Sequence, residues 1–407
     1  MYMKKSILLT AIIFVTAFSL GNATQTRTLT MGDANLIMHD ESNIWYFPSA
    51  LYDYPEIVLG EFYEDYTGPN EFSDIGIHYK FGEKKPFVLG LYITQNQPFQ
   101  IPNYPYNFTY QNNKKIDLFY SRMLGGHKFG FHFNYINGSW KHETDSTEET
   151  TRDKSEQGVN AMEFIFGLTP NNGKLDLSAG IGFLSWKDLN NAGTDRTKPK
   201  GNLLFGLAAR YFYEYDQKTT LVPHFGFVYE KEGIERYADN ADLTDLDRTD
   251  TYKEMSIDLG CGLNYTPMAG VLAIGDFGFM YEKSSDKYEP SGTGVTVHED
   301  KYTDMTVPYF RIGLEANVLK WLDVRMGGTS CWGRDKEENE YSGAENYSYV
   351  YKYNYVDNET YLGAGLHWGN FFIDGYVDPE VVTDGFYFLS GNSTDWSYQV
   401  SLKYKMF

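Results

Sequence analysis

Apolar and polar residues alternate along about sixteen short stretches of this chain, and the connections between the stretches are by turns very short and long. In one stretch Leu175, Leu177, Ala179, Ile181 and Phe183 interleave with Asp176, Ser178, Gly180, Gly182 and Leu184. A period of two puts one set on each face of a strand, so one face suits lipid and the other water. The pattern predicts an all-β fold, a closed antiparallel transmembrane barrel. Strands are expected near 56–64, 72–81, 87–94, 115–124, 127–141, 157–168, 174–186, 200–214, 219–231, 252–266, 270–283, 303–318, 322–334, 358–368, 371–378 and 395–406. The segments at 87–94 and 371–378 are the weakest, so fourteen strands is the alternative count.

The connections sort into two classes. Tight turns fall at 82–86, 125–126, 169–173, 215–218, 267–269, 319–321 and 369–370, and every second connection is instead a polar loop, as at 95–114, 232–251 and 335–357. In outer-membrane barrels turns face the periplasm and loops face outward, and an even strand number leaves both termini in the periplasm. The loop lengths alternate without adjustment, which is the strongest argument for the class.

The N-terminus fits that compartment. Lys4 and Lys5 precede an apolar run over 7–20, followed by Gly21 and Ala23. That is the layout of a secretory signal peptide cut after Ala23, and the run falls short of the roughly 20 residues a spanning helix needs. The expected organisation is a signal peptide over 1–23, a plug or hatch over 24–55 and one barrel over 56–407. Composition agrees, with 35 Tyr, 28 Phe, 7 Trp and 39 Gly supplying aromatic girdles and a glycine-rich interior. The formal net charge of −20 argues against nucleic acid as a partner.

Face assignment follows from the cost of charge in lipid, on the order of 2–4 kcal/mol near the bilayer midplane. Leu203, Phe205, Leu207, Ala209 and Tyr211 are placed outward. Asp74, His78, Asp117, His132, Glu163, Asp176, His224, Asp258, Asp276, Arg311, Glu315, Asp323, Arg325, His367 and Asp374 are placed in the lumen, with Arg210. A charged interior is water-filled or plugged, because an apolar cavity would leave these groups unsolvated. Two roles are open for them: structural ion-pair networks, or a constriction in which Arg210, Arg311 and Arg325 face Asp176, Asp258, Asp276, Glu315 and Asp323 and set ion selectivity. Cys261 is expected to face lipid and Cys331 the lumen, as free thiols. No His or Cys pair has zinc-ligand spacing. No cofactor and no metal are expected, although the acidic run Asp239, Asn240, Asp242, Asp245, Asp247 and Asp250 carries hard oxygen ligands of the kind calcium takes.

Residues 24–55 do not alternate. They hold Met31-Gly32-Asp33-Ala34, then an acidic stretch from Asp40 through Asn43 to Trp45, Tyr46, Phe47, Pro48, Ser49, Ala50 and Leu51. This resembles the start of the long-chain fatty acid transporter (FadL-like) superfamily of outer-membrane barrels, which includes a type IX secretion barrel. Pro48 and Leu51 match that superfamily's aromatic-x-Asn-Pro-Ala-x-Leu motif, while Phe47 and Ser49 depart from it. The resemblance implies a hatch built on Asp40, Asn43, Trp45, Phe47, Pro48 and Leu51, folded inside a barrel that usually has fourteen strands.

At the other end Trp396, Tyr398, Val400, Leu402, Tyr404 and Met406 form an outward row before Phe407, which resembles the signal read by barrel-assembly machinery. There is no Gly-x-Ser-x-Gly elbow, no His-Glu-x-x-His and no phosphate-binding glycine loop, so no enzyme is expected. The sequence thus predicts a Gram-negative outer-membrane barrel that takes up small, hydrophobic molecules passively. The alternatives are a general porin for hydrophilic solutes and a non-transporting barrel that binds protein partners. The expected partners are outer-membrane lipid, the assembly machinery and a small-molecule substrate, with the oligomeric state open.

Overall fold

The computed structural model describes residues 26–65, 70–95, 114–144, 153–170, 173–189, 195–238, 248–290, 297–342, 346–377 and 398–406. The signal segment 1–23, Trp396, Phe407 and the acidic run from Asp239 to Asp247 lie outside these residues.

Eighteen antiparallel strand segments form one sheet, closed where β1 (Ile57–Asp65) pairs with β18 (Tyr398–Lys405). The segments β8 (Asp195–Pro199) and β9 (Leu203–Tyr211) both lie between β7 (Leu175–Leu189) and β11 (Thr219–Ala238). The two-residue β10 (Tyr213–Glu214) carries β9 on along β11. These three pieces occupy one stave, so the barrel has sixteen, as the alternation predicts. Closure satisfies every wall strand's backbone from two sides, which a strand in lipid requires.

The short connections gather at one end. Between β4 (Lys114–Leu124) and β5 (His127–Thr144) the turn is Gly125-Gly126, at φ 58° and 85°. Two successive positive-φ residues are what a tight hairpin needs, and glycine meets that need without steric cost. The opposite rim is uneven. From β11 through β12 (Arg248–Met268), β13 (Val271–Pro290), β14 (Val297–Leu319), β15 (Leu322–Ser342) and β16 (Tyr347–Trp368) the strands run 20 to 23 residues. Elsewhere β3 (Phe87–Gln95) has 9 residues, β17 (Phe371–Val377) 7 and β18 8. About 9–11 residues cross a bilayer, so the long strands stand beyond it on the loop side.

The two faces separate as expected. Ile75, Phe166 and Ile312 are 59%, 57% and 65% exposed on the outside, whereas Asp74, His78, Asp117, His132, Asp176, Arg210, Asp276, Arg325 and Asp374 are buried inside. Cys261 is exposed, Cys331 is half-buried, and both thiols are free. The apolar core is not made by the wall alone. Met31, Ile37, Ile44, Trp45, Phe47 and Leu51 cluster with Leu59, Val88, Tyr92, Phe119, Ile165, Val222 and Ile274, so residues before the first strand fill the barrel.

Candidate functional site

Residues 26–54 form a compact insert within the wall. A short helix, Thr26–Thr30, leads into two 3-10 turns, Glu41–Trp45 and Pro48–Asp53. The first is started by a reciprocal cap. The Asp40 carboxylate accepts from the Ser42 backbone N–H at 3.1 Å, and the Asn43 side-chain oxygen accepts from the Asp40 N–H at 2.9 Å. Such caps satisfy amide groups that a helix start leaves unpaired. Pro48 opens the second turn, where its fixed φ suits the first helical position.

The insert touches strands around the whole circumference. On one side Thr26 donates to Glu61 on β1, and the Lys403 ammonium on β18 pairs with Glu41. Arg27 is bidentate to Glu315 on β14, at 2.8 Å for each bond, and reaches Asp40 at 2.8 Å. Across the barrel Arg210 on β9 is fully buried. It pairs with Asp176 at 2.9 Å and donates to the carbonyls of Asn35 and Met38, both at 3.1 Å, and to the Asn43 side-chain oxygen at 3.0 Å. The Asn264 amide on β12 donates to the Ile37 carbonyl at 2.6 Å. Ser49 Oγ lies 2.9 Å from Thr169 Oγ1 on β6 (Asp153–Thr169), and Ser121 on β4 donates to the Ser49 carbonyl at 3.2 Å.

Apolar contacts complete the seat. Trp45 meets Phe119 and His132 edge-on, with centroids 4.9 and 5.4 Å apart, and Phe47 lies under the Arg210 guanidinium at 4.5 Å. Where the insert's backbone packs most closely on the wall, the wall residue is glycine at several points. A Cβ on Gly130 would stand 2.0 Å from Pro48 and Ser49 backbone atoms, and one on Gly327 would stand 2.3 Å from the Gly32 nitrogen. His39 stacks on Phe212 with centroids 3.9 Å apart while its other side stays exposed; desolvation of the stacked ring, then the nearby Arg210 charge, lower its pKa.

The residues singled out from sequence divide into two groups. Asp40, Asn43, Trp45, Phe47, Pro48 and Leu51 are buried in the insert, and Arg210, Asp176 and Glu315 hold it or its anchors. The remainder pair along the inner wall. Arg311 meets Asp276 at 3.3 Å, and Arg325 meets Glu315 at 2.6 Å and Asp374 at 2.5 Å, with Asp323 at 3.6 Å. Asp258 accepts from the Tyr309 hydroxyl at 2.8 Å. Each of the three arginines is therefore engaged in ion pairs. Sequence reasoning missed Arg27, Ser49, Thr169, Lys403 and the wall glycines. The Asp40/Asn43 spacing is a capping signature that could have located the first turn.

Further from the turns, carboxylates face one another across the inner wall. Glu230 is directly opposite Glu254, Glu282 opposite Asp304, and Asp304 opposite Asp335. Glu282, Asp304 and Asp335 are buried, and the Tyr355 hydroxyl donates to Asp304 at 2.9 Å.

No protein-family model and no curated protein matches this chain. Among solved structures it is similar to the ferric yersiniabactin uptake receptor FyuA of Yersinia pestis, at 8% identity and a TM-score of 0.39, over 86% of this chain and 80% of that one. It is similar also to the alcaligin outer-membrane receptor FauA of Bordetella pertussis, at 9% identity and a TM-score of 0.38, over 86% and 75%. A third is the ferric-catecholate import receptor Fiu of E. coli K12, at 7% identity and a TM-score of 0.34, over 86% and 81%. Likeness of this degree does not extend to ligand.

The resemblance to the long-chain fatty acid transporter superfamily is overturned. The wall has sixteen staves where that superfamily usually has fourteen. The short motif has a local cause instead, because Pro48 opens a 3-10 turn and Leu51 fills the core beneath it. A closed wall with an apolar outside and a charged inside defines an integral outer-membrane β-barrel.

Proposed function

We propose that this barrel is a gated transporter for small cationic solutes, with residues 26–54 as the plug. The observation that carries this reading is the insert's anchorage from β1 round to β18, which leaves no wall sector of the described residues to serve as an open axial pore beside it. Arg210, Arg325 and Arg311 then act as anchors and wall ties, since a cation already paired with carboxylates is poorly placed to select ions. The inner wall on the loop side is carboxylate and tyrosine, a lining that suits cations better than the aliphatic cargo expected from sequence. The plug speaks equally against an open porin.

Planar-bilayer conductance tests this reading, comparing the full mature chain with one lacking 26–54. The expected outcome is a silent full-length protein and a cation-selective channel after deletion, with selectivity reduced by Glu282→Gln and Asp304→Asn. A fold-neutral companion locks the plug by a disulfide between Ser49→Cys and Thr169→Cys in a background without Cys261 and Cys331. Steady conductance of the locked, full-length protein would sink the plug, and silence of both lengths would point to a filled barrel that works through its loops.

A further inference from the structure

Three neighbouring strands end their lipid-facing rows in the same way. On β11 the outward series is Phe225, Phe227, Tyr229 and then Lys231; on β12 it is Leu259, Ile257, Met255 and then Lys253; on β13 it is Phe277, Phe279, Tyr281 and then Lys283. Leu259 and Phe277 are 47% and 56% exposed, so the rows below the lysines are open to acyl chains. Lys231 stands directly opposite Lys253, and Lys283 is opposite Met255, one step diagonal from Lys253. Like charges facing each other across a ladder are destabilising unless a counter-charge joins them.

Within the wall that counter-charge is not supplied. Among the described residues no ion pair includes Lys231, Lys253 or Lys283, although the lysines further out are paired: Lys287 with Glu289, Lys301 with Glu340 at 2.8 Å, and Lys336 with Glu338. Of the outward acids on these strands, Glu299 is taken by Lys301 and by the Ser285 hydroxyl, and Glu235 by Lys200. In a chain of net charge −20, three unpaired ammonium groups meet at the outer border of the apolar belt. An anion drawn to this place has to arrive with the membrane.

We propose that Lys231, Lys253 and Lys283 bind the phosphate of an outer-leaflet glycolipid whose acyl chains lie on the apolar rows below them. A phosphate held there reaches all three ammonium groups at once, and the lipid supplies the apolar contact that a free anion lacks. Charge attraction at a membrane surface changes affinity about fivefold per lysine, so three act on the order of 100-fold together.

The probe is lipid A, an acylated glucosamine disaccharide with two phosphates, titrated onto the full-length protein in neutral detergent micelles and read by native mass spectrometry. Wild type should bind it and should bind the dephosphorylated form far less. The variant Lys231→Gln/Lys253→Gln/Lys283→Gln should lose about 100-fold in affinity, and the variant Lys287→Gln/Lys301→Gln, which removes paired lysines, should bind as wild type does. Equal binding by wild type and the triple variant would overturn the proposal. So would binding of inorganic phosphate as tight as that of lipid A, which would mark a site for a soluble anion. Because the lysines point outward, heat-modified gel migration should show the triple variant folded, and a failure of the plug assay would leave this result untouched.

Discussion

At the scale of single residues, Arg210 decides whether the insert proposed as the plug is seated. Its guanidinium satisfies a buried carboxylate and several plug oxygens together, so Arg210→Ala strands Asp176 without its cation. Removing one partner of a buried pair costs about 3–5 kcal/mol. The expected outcome is loss of hydrogen-exchange protection over 26–54 with the wall's protection retained. His39 adds a dependence on pH with a definite sign. Its imidazole is more acidic when docked than when free, so the undocked state binds more protons as pH falls below 6.5. Docking is firmest above pH 6.5 and weakens as pH falls towards 4. Exchange protection of the plug at pH 7.5 and pH 5 measures this, and His39→Phe, which keeps the stack on Phe212, should flatten the difference. Arg210 could be placed in the lumen from its alternation alone. Its partners could not, because residues 35–43 have no period from which a direction can be read.

At the scale of elements, the insert and the wall are fitted through glycine. Gly130 shares the inward parity of His132 and its added Cβ would meet Pro48 and Ser49, whereas Gly275 shares the outward parity of Phe277 and its added Cβ would meet nothing within 4 Å. Gly130→Ala should therefore loosen the plug by about 1–3 kcal/mol, the usual cost of overpacking, while Gly275→Ala leaves it seated. The yield of the Ser49→Cys/Thr169→Cys crosslink reports the difference. Strands were legible wherever one face meets lipid. They were misjudged above the membrane, as on β16, which is expected from 358 and begins at Tyr347. The run Tyr347-Ser-Tyr-Val-Tyr-Lys-Tyr-Asn-Tyr355 turns its tyrosines to the inward side of Tyr355 and Ser348, Val350, Lys352 and Asn354 outward, so its outer face lacks the apolar row by which the lipid-facing strands are read. The carboxylates on the inner wall and the lysines on the outer wall share one cause. At the bilayer border four of the long strands turn an acid inward and a cation outward, as Glu230-Lys231, Lys253-Glu254, Glu282-Lys283 and Arg334-Asp335.

At the scale of the whole molecule, the barrel's circumference is not equally strong. Among the described residues β1 and β18 share seven paired positions, as do β17 and β18, whereas β15 and β16 share twenty. Cooperative ladders resist separation in proportion to the bonds that must break together. The seam between the first and last strands is thus among the hoop's weakest joints, held between short staves beside a wall more than twice as deep. The plug crosses behind this joint, with Thr26 on Glu61 and Glu41 on Lys403. On the proposed function, the segment that blocks the passage also serves as a clasp for the ring around it, and any motion that clears the passage releases the clasp as well.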